Sequence, residues 1–155
     1  MVNQTLKLNV PDGWKVVFSV DEHPEQEDYS FENYDITPDE NSGFKWVFIS
    51  KIVEPYETLT PFENIESTAE DYLKELKVPD SIRPSTMDFI KRCEMGGLEA
   101  YYIVFREVGD AEAEILVVFD APDERKVWVN AQIKDWDGGI GEASAIDFLS
   151  TFFIF

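Results

Sequence analysis

The chain has 155 residues, with 13 Lys and Arg against 32 Asp and Glu, and a formal net charge of −19. That balance disfavours DNA and RNA, whose affinity comes mainly from cations neutralising phosphates, and it disfavours anionic membrane surfaces for the same reason. The 44% hydrophobic and 14% aromatic content excludes an acidic disordered tail. At this length the sequence reads as one domain, residues 1–155, large enough for a real core.

The first segment reads as strands. Leu6, Leu8 and Val10 alternate with polar residues, Pro11-Asp12-Gly13 signals a turn, and Trp14, Val16, Phe18 and Val20 alternate again. Residues 21–28 read as a charged loop. In 29–37, Tyr29, Phe31 and Asn33 share one strand face, and Tyr34 and Ile36 the other. The run Thr37-Pro38-Asp39-Glu40-Asn41-Ser42-Gly43 is the clearest turn, and with the apolar strand 44–53 after it predicts a hairpin. Residues 54–66, with Pro55 and Pro61, read as a loop. Ser67-Thr68-Ala69-Glu70 has the form of a capping box, and Ile65, Ala69, Tyr72, Leu73 and Leu76 recur at helical spacing, so a helix is predicted over 67–77.

The second half reads as a meander. Strands are predicted over 87–93, 98–108, 112–120 and 126–134, with turns at Gly96-Gly97, Gly109-Asp110 and Pro122-Asp123. Gly138-Gly139 breaks the chain before a closing helix over 140–152. The final Phe-Phe-Ile-Phe reads as its last turn or as a short strand. Two antiparallel groups, each followed by a helix, predict an α+β fold: an antiparallel sheet of six to eight strands flanked by two helices, with the helices covering a face.

No motif names a reaction. His23 is the only histidine and sits in Asp21-Glu22-His23-Pro24-Glu25-Gln26-Glu27-Asp28. An imidazole among carboxylates suits a divalent cation; separately, Asp135-Trp136-Asp137-Gly138-Gly139 could supply carboxylates to Ca²⁺, without the ligand array of an EF-hand loop. The same residues are also what solvated loops and turns prefer. The metal candidates are therefore Asp21, His23, Glu25, Asp135 and Asp137. No Gly-x-Ser-x-Gly elbow or phosphate-cradling glycine loop is present, and no cofactor is expected. Cys93, the single cysteine, follows Lys91-Arg92; positive neighbours would activate its thiol, and a plain strand residue is the default. Most aromatics belong in the core; a surplus on one sheet face would mark a partner site. The partner-binding candidates are Trp46, Trp128, Trp136 and Tyr102, rimmed by Glu25, Glu27 and Asp28. Between Lys15 and Lys45 there is no Lys or Arg at all.

Several segments carry a resemblance: Val10-Pro11-Asp12-Gly13-Trp14-Lys15, the Ser67–Leu76 stretch, Gly97-Leu98-Glu99-Ala100-Tyr101-Tyr102, and the Phe-rich end from Phe148 to Phe155. In these the chain resembles the PsbP-like proteins and their relatives, the DcrB-like proteins and Rhs-associated EagR chaperones. The resemblance implies a sheet flanked by helices. It also implies a non-enzymatic role, as in accessory subunits of photosystem II, a small-GTPase-binding nuclear import factor, bacterial lipoproteins and toxin chaperones. The expected function is a binding or accessory module for a protein or peptide partner with basic flanks. The alternative is an extracytoplasmic lipoprotein-type domain that binds a divalent cation or cationic ligand through acidic loops. The opening residues hold no apolar run of signal-peptide length, so the expected location is cytoplasmic, or exported if a leader has been removed.

Overall fold

The computed structural model describes residues 5–22, 30–53, 59–75, 90–105, 111–135 and 141–155. These contain β1 (Lys15–Glu22), β2 (Ser30–Thr37), β3 (Phe44–Ile52), α1 (Pro61–Glu75), β4 (Lys91–Met95), β5 (Leu98–Phe105), β6 (Ala113–Asp120), β7 (Lys126–Ile133) and α2 (Glu142–Ser150). The strands make one seven-stranded sheet in the order β1-β2-β3-β7-β6-β5-β4. Every neighbouring pair is antiparallel. Two meanders, β1–β3 and β4–β7, thus join where β3 meets β7. The protein is α+β, as the element order predicts.

The turns follow local chemistry. Gly96 and Gly97 take φ of 58° and 87° between the paired residues Met95 and Leu98. Positive φ at both central positions is the hairpin geometry that matches strand twist, and glycine adopts it without strain. A Cβ at Gly96 would also lie 2.9 Å from the Phe153 carbonyl oxygen.

Three expectations are corrected. Leu6, Leu8 and Val10 do not build a ladder; among the described residues their segment makes one bridge, Leu8 to Phe153. The Asn9 amide also donates to the Phe152 carbonyl at 2.8 Å. The segment is a strap: Leu6 is buried, and Leu8 and Val10 pack on the same core. The first helix starts at Pro61, not 67. Its capping box is Thr60-Pro61-Phe62-Glu63, with the Glu63 amide donating to Thr60 Oγ1 at 3.1 Å and the Thr60 amide to Glu63 Oε1 at 3.3 Å. Proline fits the first helical position because its missing N–H would have no partner there. Ser67–Glu70 lies mid-helix. The third correction concerns the helices, which lie on opposite faces. Ile65 and Ala69 of α1 pack with Ile103, Phe105, Leu116 and Val118. Ala145, Ile146 and Leu149 of α2 pack in the core built on Ala100, Tyr102, Ile115 and Val117. Successive strand residues point to opposite faces, so these two sets cannot share one. Smaller shifts also occur. Asp21 and Glu22 belong to β1, β4 begins at Lys91, and the terminal Phe residues follow α2.

The α2 face is the larger core. Phe44, Phe148 and Phe152 surround Trp14, at ring-centroid distances of 5.9, 5.5 and 5.5 Å from it. The Phe-rich end therefore closes the core.

Candidate functional site

The α1 face is built in rows that the strand register fixes. One row runs Val17, Asp35, Phe48, Asn130, Leu116, Ile103 across β1, β2, β3, β7, β6 and β5. The next runs Ser19, Asn33, Ser50, Trp128, Val118, Tyr101. The β5–β6 end of each row lies under α1 and is mostly apolar. Toward β1 the rows change character. Val17 is 64% exposed, Asp35 is exposed, and Asn33, Phe48, Ser50 and Asn130 are half-buried. The result is half a sheet face with an aromatic ring, amides and carboxylates within reach of solvent.

A register irregularity adds Trp46 to this half. The ladder shifts between Phe44 and Trp46, so Phe44 pairs with Ile133 while Trp46 pairs with Gln132. Lys45 is the extra residue of a β-bulge. In a regular ladder Phe44 and Trp46, two residues apart, would share a face. With the bulge Phe44 enters the α2-face core, and Trp46 lies half-buried on the α1 face, in the row Trp46, Gln132, Glu114, Phe105. Gln132 Nε2 donates to Glu112 Oε2 at 2.7 Å, and Lys45 Nζ lies 3.2 Å from Glu112 Oε1.

The partner-binding residues read from sequence are thereby separated. Trp46 stands on this half-face. Trp128 pins α1 to the sheet: its Nε1 donates to Asn64 Oδ1 at 2.9 Å, and its ring meets Phe31 edge-on at 5.9 Å. Tyr102 does not belong to the set. It is 7% exposed on the opposite face, and its hydroxyl donates to Glu142 Oε2 of α2 at 2.7 Å. The alternation of Leu98–Phe105 fixes which residues share a face; only the placement of α2 shows that Tyr102 lies on the face that α2 covers. Trp136, Glu25, Glu27 and Asp28 lie outside the described residues. Of the metal candidates, so do His23, Glu25 and Asp137. Asp21 and Asp135 are separated by the topology. Asp21 ends β1 in the row of Phe31 and Ile52, whereas Asp135 follows β7 beyond the row of Phe44 and Ile133, at the other end of the sheet. They do not form one site. Among the described residues no group of three His, Cys, Asp or Glu is placed to hold a metal ion.

Other polar clusters do structural work. On the α2 face Glu32 and Lys51 are cross-strand partners, 1% and 2% exposed. Thr5 Oγ1 donates to Glu32 Oε2 at 2.7 Å and accepts from Lys51 Nζ at 2.8 Å. Tyr34 Oη donates to Glu32 Oε2 at 3.1 Å and accepts from the Leu6 amide at 3.2 Å. Lys51 Nζ also meets Asp123 Oδ2 at 2.7 Å. Burial pushes the Asp123 carboxyl up, but the Lys51 ammonium and the Arg125 amide outweigh it and hold that carboxyl below its ordinary range. Burial, with Glu32 beside it, keeps the Tyr34 phenol protonated far above its ordinary range. Sequence reading missed this network, although Glu32 shares the strand phase of Tyr34 and Ile36, and Lys51 that of Val47 and Ile49, which is the signal for it.

Two grooves flank the helices. One of about 530 Å³ is lined by Pro61, Phe62, Leu98, Glu99, Tyr101 and Asp120 at the start of α1. Its carboxylates are already engaged, Glu99 by Arg92 and the Tyr101 hydroxyl, Asp120 by Lys126. The other, of about 410 Å³, lies along α2 and includes Cys93, Tyr102 and Ser150. Burial and then Glu94 push the Cys93 thiol up to about 12. Positive neighbours do not activate it. Lys91 serves Glu142 instead, at 2.6 Å.

Glu114, in the Trp46 row, is half-buried, and burial holds its carboxyl above the ordinary range. A raised folded-state value means that the ionised form is penalised on folding. This group's contribution therefore favours folding as pH falls through its folded value toward the unfolded value of about 4.3. Glu114→Gln is expected to raise the neutral-pH Tm by roughly 1–2 °C, allowing for solvent screening. The gain should vanish below about pH 4. Thermal unfolding of both proteins at pH 4 and pH 7 checks this; an equal Tm at both pH values contradicts it.

No family model, no curated protein and no solved structure matches this chain. No helix among the described residues is long and apolar enough to cross a membrane.

Proposed function

We propose that the chain is a non-enzymatic binding or accessory protein that engages a protein or peptide partner with basic flanks. The partner meets the β1–β3 half of the α1 face. One observation carries this reading: α1 packs on β5 and β6, and the rows extend past it to Val17, Asp35, Phe48 and Trp46, while the cations of β3, Lys45 and Lys51, are already paired with Glu112 and Asp123. Between Lys15 and Lys45 the sequence has no Lys or Arg. An aromatic and amide surface beside carboxylates suits a basic segment. It gives apolar contact area at the centre and electrostatic steering at the rim. The resemblance to PsbP-like and EagR proteins points to the same class of role.

The test uses a heptapeptide of alternating Lys and Val, with a Glu and Val peptide as control, titrated by calorimetry. The basic peptide is expected to bind, and to lose about tenfold or more in affinity between 50 and 500 mM salt. Phe48→Ala and Asp35→Asn should each weaken it, whereas Tyr102→Phe should not. Equal binding of both peptides, or indifference to Phe48 and Asp35, overturns the reading.

A further inference from the structure

β1 and β4 are the two ends of the sheet, and they differ in how they are guarded. Natural edge strands are protected from further pairing by shortness, charge, proline or bulges. β4 has five residues and exposes Lys91, Arg92 and Glu94. β1 has eight, and its centre, Val16-Val17-Phe18-Ser19-Val20, carries no charge and no proline. Its pairing with β2 runs without a bulge from Lys15 to Glu22. Val16 and Val17 are 37% and 64% exposed. Among the described residues no strand pairs with its outer side.

The charge around this edge selects the occupant. Asp12 precedes the strand, Asp21 and Glu22 end it, and β2 brings Asp35 onto the α1 face one strand inward. Lys15 is the strand's only cation. A second copy would bring the same acids, on a chain of net charge −19, against them. An extended segment bearing Lys or Arg would instead find carboxylates.

We propose that β1 takes an extended, Lys- or Arg-bearing segment of a partner protein as an eighth strand of the sheet. The inference rests on the reading that the partner is basic, and it adds an edge contact to the face contact: the added strand lies three spacings, about 14 Å, from Phe48, so a separate stretch of the partner covers Phe48. Main-chain hydrogen bonds to β1 supply affinity, and alternate side chains supply specificity. A Lys opposite Val17 would lie in the row Val17–Asp35–Phe48. Its methylenes would cover Val17, and its ammonium would reach toward Asp35, about 10 Å away over two strand spacings.

The experiment compares the Lys and Val heptapeptide with the same peptide N-methylated at alternate residues, which keeps charge and side chains but removes one edge of donors. The unmodified peptide should bind about tenfold or more tightly than one of the two alternately methylated forms, since each lost backbone bond is worth a measurable fraction of that. In amide hydrogen exchange it should protect alternate amides of β1. If all forms bind equally, or if binding leaves β1 amides unprotected, strand addition is overturned while face binding stands. If no form binds, the reading of a basic partner fails with it. If β1 amides gain protection with protein concentration alone and the protein sediments as a dimer, the occupant is a second copy and the proposal is overturned.

Discussion

Replacing Glu32 by alanine is expected to lower the unfolding free energy by about 3–5 kcal/mol, the cost of removing one partner from a buried charged network. Glu32 Oε2 accepts from the Thr5 hydroxyl, the Thr5 amide and the Tyr34 hydroxyl. Its deletion leaves the buried Tyr34 without its acceptor and breaks the relay from Lys51 through Thr5. It also weakens the seat of the strap, because the Thr5 amide and hydroxyl both donate to this carboxylate and the Leu6 amide donates to its Tyr34 neighbour. Glu32→Gln keeps an acceptor and should cost distinctly less. Replacing Glu32, Lys51 and Thr5 together by apolar residues of similar volume should recover much of the loss, since a buried charge pair repays its desolvation only in part. Urea unfolding of the variants decides the point. A loss below about 1 kcal/mol for Glu32→Ala would assign the cluster to solvent-screened surface behaviour.

The second large effect lies at the other end of the same face. Phe152 is fully buried and meets Trp14 edge-on at 5.5 Å and Phe148 at 5.4 Å. Phe152→Ala is expected to cost about 3–5 kcal/mol, as lost transfer energy plus a cavity that its ring neighbours cannot close. Its backbone carbonyl accepts from the Asn9 amide, so the cavity also loosens the seat of the strap. Phe152→Leu should cost much less. Equilibrium unfolding followed by tryptophan fluorescence reports both, because Trp14 senses the change directly. Near-equal stability of the Ala and Leu variants would show that the cluster relaxes freely.

The strands were legible because their alternation has a period of two, and the turns because Gly and Pro mark them. Phe31 and Asn33 do oppose Tyr34 and Ile36, as alternation requires. Three things were not legible, each for a physical reason. The start of α1 was hidden because Pro61 reads as a loop residue unless its place after Thr60 and before Glu63 is noticed. The faces of the helices were hidden because a connection's sequence does not say which side of a sheet it crosses to. Tyr102 was misplaced for that reason: it and Tyr101 are equivalent in composition and opposite in orientation. Lys45 was the third. One extra residue turns Trp46 away from Phe44, and nothing in Phe44-Lys45-Trp46 announces it. Of the metal candidates, only Asp21 and Asp135 lie among the described residues. Asp21 falls in the row of Phe31 and Ile52 and Asp135 beyond the row of Phe44 and Ile133, and only the strand register shows that these rows lie at opposite ends of β3.

The central claim is that a basic partner segment meets the β1–β3 half of the α1 face. Its most direct test is mapping backbone and indole NMR shifts of the whole chain on addition of the Lys and Val heptapeptide. The account predicts shifts concentrated at Val17, Ser19, Asn33, Asp35 and Phe48 and at the Trp46 indole, with Ile146, Cys93 and Tyr102 unmoved. Shifts centred on the α2 groove, or on Phe62 and Tyr101 at the start of α1, would contradict it.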